Sequence, residues 1–268
     1  MNLPLVNETH PDAATLRVAL DRFYQTSPNY GGYVAPSDQS QCWRFVVPKI
    51  EAIVRRKGSC RALEIGAGRT GFRQFYSARA LHFAVQDVTG LNADYLRTQA
   101  DEVFIGDLPT VTGRYDVIFS TFVFEHVTNP RATLELAWQM VEPGGALFLF
   151  CPRYDVPFYL PPSFDHRPAL VRWLTAIYLL GRRAWTALGG PPAFLVTTDP
   201  SVFHREWARD RDAIHLVSLF DLRAFARGRG PLTRYALRSG SVKDWVVKNL
   251  LQINAVIEKP DTASPSLA

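Results

Sequence analysis

Arg61-Ala62-Leu63-Glu64-Ile65-Gly66-Ala67-Gly68-Arg69-Thr70-Gly71-Phe72 decides how this chain folds. An apolar run carries an acidic residue near its end. Two glycines follow, one residue apart, and a third precedes helix-forming sequence. A strand that turns into a helix through glycines leaves backbone N–H groups facing open space, with no Cβ to hold a ligand away. Gly66, Gly68 and Gly71 also satisfy the dinucleotide pattern G-x-G-x-x-G. Glu64 separates the two readings. A carboxylate at the strand's carboxyl end repels a pyrophosphate and suits a cationic ligand.

The downstream sequence repeats the same alternation. Leu81-His82-Phe83-Ala84-Val85-Gln86-Asp87 reads as a second strand ending in a carboxylate. Asp87 falls about twenty residues past Gly66, where an acidic side chain meets ribose hydroxyls in doubly wound folds. Val103 to Leu108 gives a short third strand with Asp107 beside it. Arg114 to Thr121 gives a fourth, apolar enough to be buried on both faces. A helix is expected from about Arg131 to Val141, then a Glu142-Pro143-Gly144-Gly145 turn and a fifth strand, Ala146 to Cys151. Strands alternating with helices predict an α/β fold, a doubly wound and mostly parallel sheet. Ligands of such sheets lie beyond the carboxyl ends of the strands. Gly66, Asp87, Asp107, Thr121 and Pro152 all fall on that edge.

From about Cys60 to Pro152 the chain resembles the class I S-adenosylmethionine-dependent methyltransferases, in the broad group that acts on small molecules. Leu63 to Gly68 stands for the family's glycine motif, Asp87 for the acidic end of strand two, and Gly106-Asp107-Leu108 for the third motif. Phe124-Glu125-His126-Val127 and Glu142-Pro143-Gly144-Gly145 are family-like too. Thr70 is a departure, standing where many members carry glycine. The resemblance implies a Rossmann-like fold, S-adenosylmethionine as cofactor and methyl transfer to an oxygen or nitrogen. It implies that Glu64, Gly66, Ala67 and Gly68 hold the methionine end, Asp87 the ribose, and Asp107 with Leu108 the adenine. Phe122 and Glu125 would flank the methionine moiety.

The flanks supply an expected acceptor side. Two helices precede the first strand, one opening at Pro11 to Ala14, the other running from Ser37 to Lys57 with Pro48 able to kink or split it. Residues 1–59 are thus read as an N-terminal helical cap, 60–152 and 214–259 as the cofactor-binding core, and 153–213 as an aromatic, helical insertion. Ser27 to Tyr33 is a turn-rich aromatic loop, and 260–268 a disordered tail by composition. The proline-rich segment after Pro152 holds the first candidate base, His166, with Asp165, Tyr154 and Tyr159 as substrate contacts; His126 is the second base, and His204 a further contact. Ala169 to Trp185 has Leu170, Trp173, Leu174, Ile177, Tyr178, Ala184 and Trp185 on one helical face. It is expected to be a lid packed on the domain. The rival reading, a peripheral membrane contact through 169–188, fits a lipid-linked acceptor. Leu232 to Leu237 and Leu250 to Ile257 read as two closing strands, which resemble the family's last antiparallel pair.

Composition bounds the rest. At 268 residues and 47% hydrophobic, the chain can bury a large core. Its +5 net charge is spread rather than run together, and no Asn/Asp-Pro-Pro-aromatic motif follows the fourth strand, where Ser120-Thr121-Phe122-Val123 stands. A nucleic-acid substrate is therefore disfavoured against a small-molecule acceptor. Cys42, Cys60 and Cys151 lack C-x-x-C spacing, which predicts reduced thiols in a cytoplasmic protein and no zinc site. No carboxylates cluster in a magnesium-site pattern, so no metal is expected. No leader or spanning segment is expected. A non-catalytic partner subunit that binds the donor fits the same motifs, and oligomeric state is not legible.

Overall fold

The computed structural model describes residues 6–7, 13–27, 38–197 and 210–261. A seven-stranded sheet organises them. Its strands are β2 (Cys60–Ile65), β3 (Leu81–Asp87), β4 (Glu102–Ile105), β5 (Tyr115–Thr121), β6 (Val141–Pro152), β8 (Leu232–Arg234) and β9 (Gln252–Glu258), with β1 (Val6–Asn7) and β7 (Val196–Thr197) forming a separate two-stranded pair. The order is β4-β3-β2-β5-β6-β9-β8. The pairings from β4 through to β6 are parallel, and β9 runs antiparallel to both neighbours. This is the doubly wound class I methyltransferase architecture, closing strand pair included. The order reverses at β2, with β3 and β5 on either side, so a crevice opens at the carboxyl end of β2.

Strand periodicity divides the core into two layers. Leu63, Ile118 and Leu147 face one side, with Leu134 and Trp138 of α5 (Pro130–Met140) and Leu222 and Phe225 of α7 (Leu219–Ala226). Ala62, Phe119 and Phe148 face the other, with Trp43, Val46, Ile50 and Ile53 of α2 (Asp38–Lys57). Every residue of β5 is buried, as its composition demands. α2 is thus a core layer in its own right. It continues through Pro48, which leaves one carbonyl a turn earlier without its helical N–H; burial of the apolar stripe outweighs that loss. α1 (Ala13–Thr26) precedes it.

Two expectations are corrected. The Pro-Gly-Gly segment is a bulge inside β6, because pairing jumps from Tyr115 opposite Val141 to Val117 opposite Ala146. Gly145 is required there, since a Cβ would sit 2.5 Å from the Asp116 carbonyl oxygen. The second correction is α6 (Ala169–Ala187). The apolar face read as its packing face is turned to solvent: Leu170, Trp173, Leu174, Ile177 and Trp185 are all exposed, and Thr175, Ala176, Leu179, Arg183 and Thr186 are buried instead. Leu179 packs with Tyr154 and Phe164 in a satellite cluster.

The three cysteines are free and buried. Among the described residues no helix is long and apolar enough to cross a membrane. The expectations for 28–33, for His204 and for 262–268 lie outside the described residues.

Candidate active site

A cavity of about 500 Å³ lies where the sheet order reverses. Gly66, Asp87, Asp107 and Thr121, four of the five expected strand-end residues, line it; Pro152 does not. The glycine elbow is tight. Gly66 has φ +68°, and a Cβ there would meet the Val123 side chain at 2.3 Å. Gly68 has φ +52° and only open space where its Cβ would project. Gly66 is therefore needed for closure of the loop, and Gly68 keeps the cavity clear.

The acidic strand end and the elbow are joined. Asp87 Oδ2 accepts the Gly68 N–H at 2.7 Å and Oδ1 accepts the Thr89 N–H at 3.0 Å. Burial pushes the Asp87 carboxyl up, against the pull of these N–H donors. Gln86, which the sequence analysis passed over, accepts the Gly66 N–H at 3.3 Å and donates to the Gly106 carbonyl at 2.5 Å. One side chain so ties two cavity loops together. Leu108 is buried on the wall, and Asp107 is exposed at it. Ala67 and Phe122 also line the cavity. Phe122 holds φ +58°, a left-handed conformation a phenylalanine adopts at a cost of about 1 kcal/mol or more. Its N–H donates to the Phe150 carbonyl at 2.7 Å, which fixes the turn out of β5.

Glu64 and Glu125 do not line the cavity. Glu64 is buried beside Thr70 and Trp43, and burial lifts its carboxyl to about 8. Burial thus favours its neutral form while no cation lies beside it. Thr70 has a local role: its hydroxyl accepts the Phe72 N–H at 3.1 Å, and its carbonyl accepts the Tyr95 hydroxyl at 2.8 Å.

On the same cavity wall stands His126. Its Nδ1 lies 3.4 Å from Asp212 Oδ2 and its Nε2 lies 3.8 Å from Glu125 Oε1. Burial works against the charged imidazole. Asp212, Glu125 and Asp210 outweigh it and hold the pKa at about 9. Glu125, fully buried behind His126, is lifted by burial to about 8. Asp212 also accepts the Tyr24 hydroxyl at 2.7 Å. Leu20, Tyr24, Asp210 and Asp212 complete this part of the wall. The burial of Asp212 is tertiary, and no local pattern announces it. Glu125, His126 and Asp210 bring one potential ligand atom each within 4.8 Å of one another.

His166, Asp165, Tyr154 and Tyr159 are not on the cavity wall. The Pro162–Phe164 turn carries this loop toward α6, where Tyr154 is fully buried and stacks on Tyr159 with centroids 5.7 Å apart. Asp165 is exposed, 3.7 Å from Arg172. The first-choice base is thus displaced from the site and the second, His126, is in it. His204 lies outside the described residues.

A family model described as "Methyltransferase domain" matches residues 44–228, more than half of the chain. The chain belongs to this methyltransferase family. Its cofactor is S-adenosylmethionine. A ubiquinone biosynthesis O-methyltransferase of Saccharophagus degradans is 38% identical over 60 residues, 22% of this chain and 24% of that protein. Its counterpart in Marinobacter nauticus is 26% identical over 103 residues, 33% of this chain and 42% of that protein. The matches therefore span less than half the length of these curated relatives. The plantazolicin methyltransferase BpumL, solved with a triazolic desmethylPZN analog and SAH, is 12% identical with a TM-score of 0.50, covering 94% of this chain and 99% of that one. This is a likeness of fold. The methyltransferase donor fits the residues present. Gly68 leaves its cradle open, and Thr121 Oγ1, on the cavity wall, is a buried polar atom without a hydrogen-bond partner.

Proposed function

We propose that this chain methylates a hydroxyl oxygen of a small, largely apolar acceptor, with His126 as general base. The observation that carries the reading is the His126–Asp212 pair on the wall of the cavity that the glycine elbow shapes. S-adenosylmethionine supplies, when bound, a methyl carbon on a positively charged sulfur. Gly66, Ala67, Gly68, Asp87, Asp107, Leu108, Thr121 and Phe122 would hold it. Glu64 and Glu125 act from behind the wall, through the elbow and through His126.

The residues near His126 supply the acceptor side. Leu20, Val127 and Leu136 give the cavity apolar lining. Nδ1 is buried 3.4 Å from Asp212, so Nε2, 3.8 Å from Glu125, is the nitrogen left to take the acceptor's proton. Asp212 orients the ring and stabilises the imidazolium, and the Tyr24 hydroxyl fixes Asp212. A cation sharing the cavity lowers the affinity of His126 for its proton, so the neutral base becomes more available there. A phenolic acceptor suits such a base, and the relatives matched in part are named as O-methyltransferases of ubiquinone biosynthesis. On this reading 60–152 and 214–259 serve the donor, while 1–59 and 153–213 contribute the acceptor side. The step needs no metal, since His126 itself takes the proton; Glu125, His126 and Asp210 do bring a ligand atom each within 4.8 Å of one another, so treatment with EDTA is part of the test.

A transfer assay against a panel of phenols, aliphatic alcohols and amines tests this. Phenols should be methylated, His126→Ala should lose about 10²–10⁴-fold in kcat/KM, and EDTA should leave the rate unchanged. Transfer to amines that survives His126→Ala, or loss with EDTA and recovery with magnesium, would contradict it.

A further inference from the structure

α6 is packed inside out. Thr175, Ala176, Leu179, Arg183 and Thr186 lie on its buried side. Leu170, Trp173, Leu174, Ile177, Trp185 and Leu188 follow helical spacing along the opposite side and are 71%, 58%, 47%, 49%, 57% and 86% exposed. A helix facing a core would turn this stripe inward and gain about 25 cal/mol for each Å² buried. Monomeric proteins rarely leave such a contiguous apolar surface uncovered. Phe158 extends it beyond the helix. It is 55% exposed, its ring lies 5.0 Å from that of Trp173, and its backbone holds φ +59°. A left-handed phenylalanine presented to solvent is a strained arrangement, which the patch uses.

We propose that this face seats the protein on the surface of an anionic lipid bilayer, with α6 lying in the plane of the headgroups. Charge selects the occupant. Residues 169–188 contain neither Asp nor Glu; Arg182 flanks the stripe, while Arg183 is on the buried side and Arg172 reaches Asp165 at 3.7 Å, in a chain of net charge +5. Anionic headgroups complement that balance. A second copy would bring two chains of the same net charge together. Trp173 and Trp185 stand toward opposite ends of the stripe, and tryptophan concentrates at the interfacial depth of bilayers. The 19-residue helix carries three arginines and two threonines, so it lies on the bilayer and does not span it. This proposal does not depend on the role given to His126.

Co-sedimentation with vesicles tests it, using phosphatidylcholine alone and phosphatidylcholine with phosphatidylglycerol. The wild type should bind the anionic vesicles, less so in high salt. Trp173→Ser/Ile177→Asp should bind at least about tenfold more weakly while keeping its unfolding temperature and its affinity for S-adenosylhomocysteine. Val242→Asp, at an exposed position of another helix, should bind as the wild type does. Wild-type protein that ignores anionic vesicles, or a double variant that binds as well as wild type, overturns the proposal. So does a dimer in sedimentation velocity that the double variant splits, with no vesicle binding by either form.

Discussion

At His126, burial and three carboxylates compete over one proton, and the carboxylates win: the imidazole titrates near 9 instead of 6.5. The neutral base therefore gains population as pH rises toward that value. Transfer by the wild type should climb between pH 6.5 and 9, and Asp212→Asn should move the climb to lower pH, because it removes one of the charges that hold the proton. A pH profile of kcat/KM reads both. Stability runs the opposite way. A folded pKa above the unfolded one gives stabilisation that is complete below about 6.5 and lost as pH rises through about 9. The two glycines of the elbow separate fold from binding in a similar manner. Gly66→Ala adds a clash with Val123 to the strain of its left-handed backbone and should cost about 2–4 kcal/mol of stability; Gly68→Ala meets no atom, should cost only the backbone strain of about 1 kcal/mol, and should weaken the donor. Thermal unfolding and a donor titration, run on both variants, distinguish them. Gly66, Asp87 and His126, singled out in the sequence, meet at one cavity, and Glu64 lies behind its wall. That Glu64 is buried was not legible, because burial comes from Trp43 and Thr70 closing over it.

The elements show where pattern reading succeeds and where it stops. Strands β2, β3 and β5 were legible because a strand covered on both faces is apolar throughout, and Asp87 and Gly66 mark their ends. α6 was legible as a helix, and its periodicity was read correctly. Periodicity reports which residues share a face; it does not say what the face meets. The same limit moved His166 off the site, because the Pro162–Phe164 turn docks its loop on α6. A pair of substitutions on neighbouring faces checks the inversion. Ile177→Asp should change stability by no more than about 0.5 kcal/mol, whereas Leu179→Asp, 1% exposed, should cost about 3 kcal/mol or more. Urea unfolding of both variants measures the difference. Equal costs would mean that α6 is rotated relative to this packing.

Across the whole molecule, the mostly parallel sheet was legible from alternation and the closing antiparallel pair from the family resemblance; the strand order and the closure of the site were not. The His126 wall of the cavity is assembled from far apart in the chain: Tyr24 reaches Asp212 across 188 positions, and both meet His126 in the cavity. No local spacing encodes such a meeting. It rests instead on α1, α2 and the 210–217 segment arriving at one crevice, where the backbone N–H groups of Ile214 and His215 donate to the Glu125 carbonyl at 2.8 Å. The account's central claim is that this crevice, where β3, β2 and β5 lie side by side, is built for a sulfonium nucleoside. Isothermal titration with S-adenosylhomocysteine tests it most directly. The wild type should bind one molecule per chain, Asp87→Ala should bind at least about tenfold more weakly with its fold intact, and a nicotinamide dinucleotide should give no heat. No heat with S-adenosylhomocysteine on folded protein, or binding that Asp87→Ala leaves untouched, would contradict it.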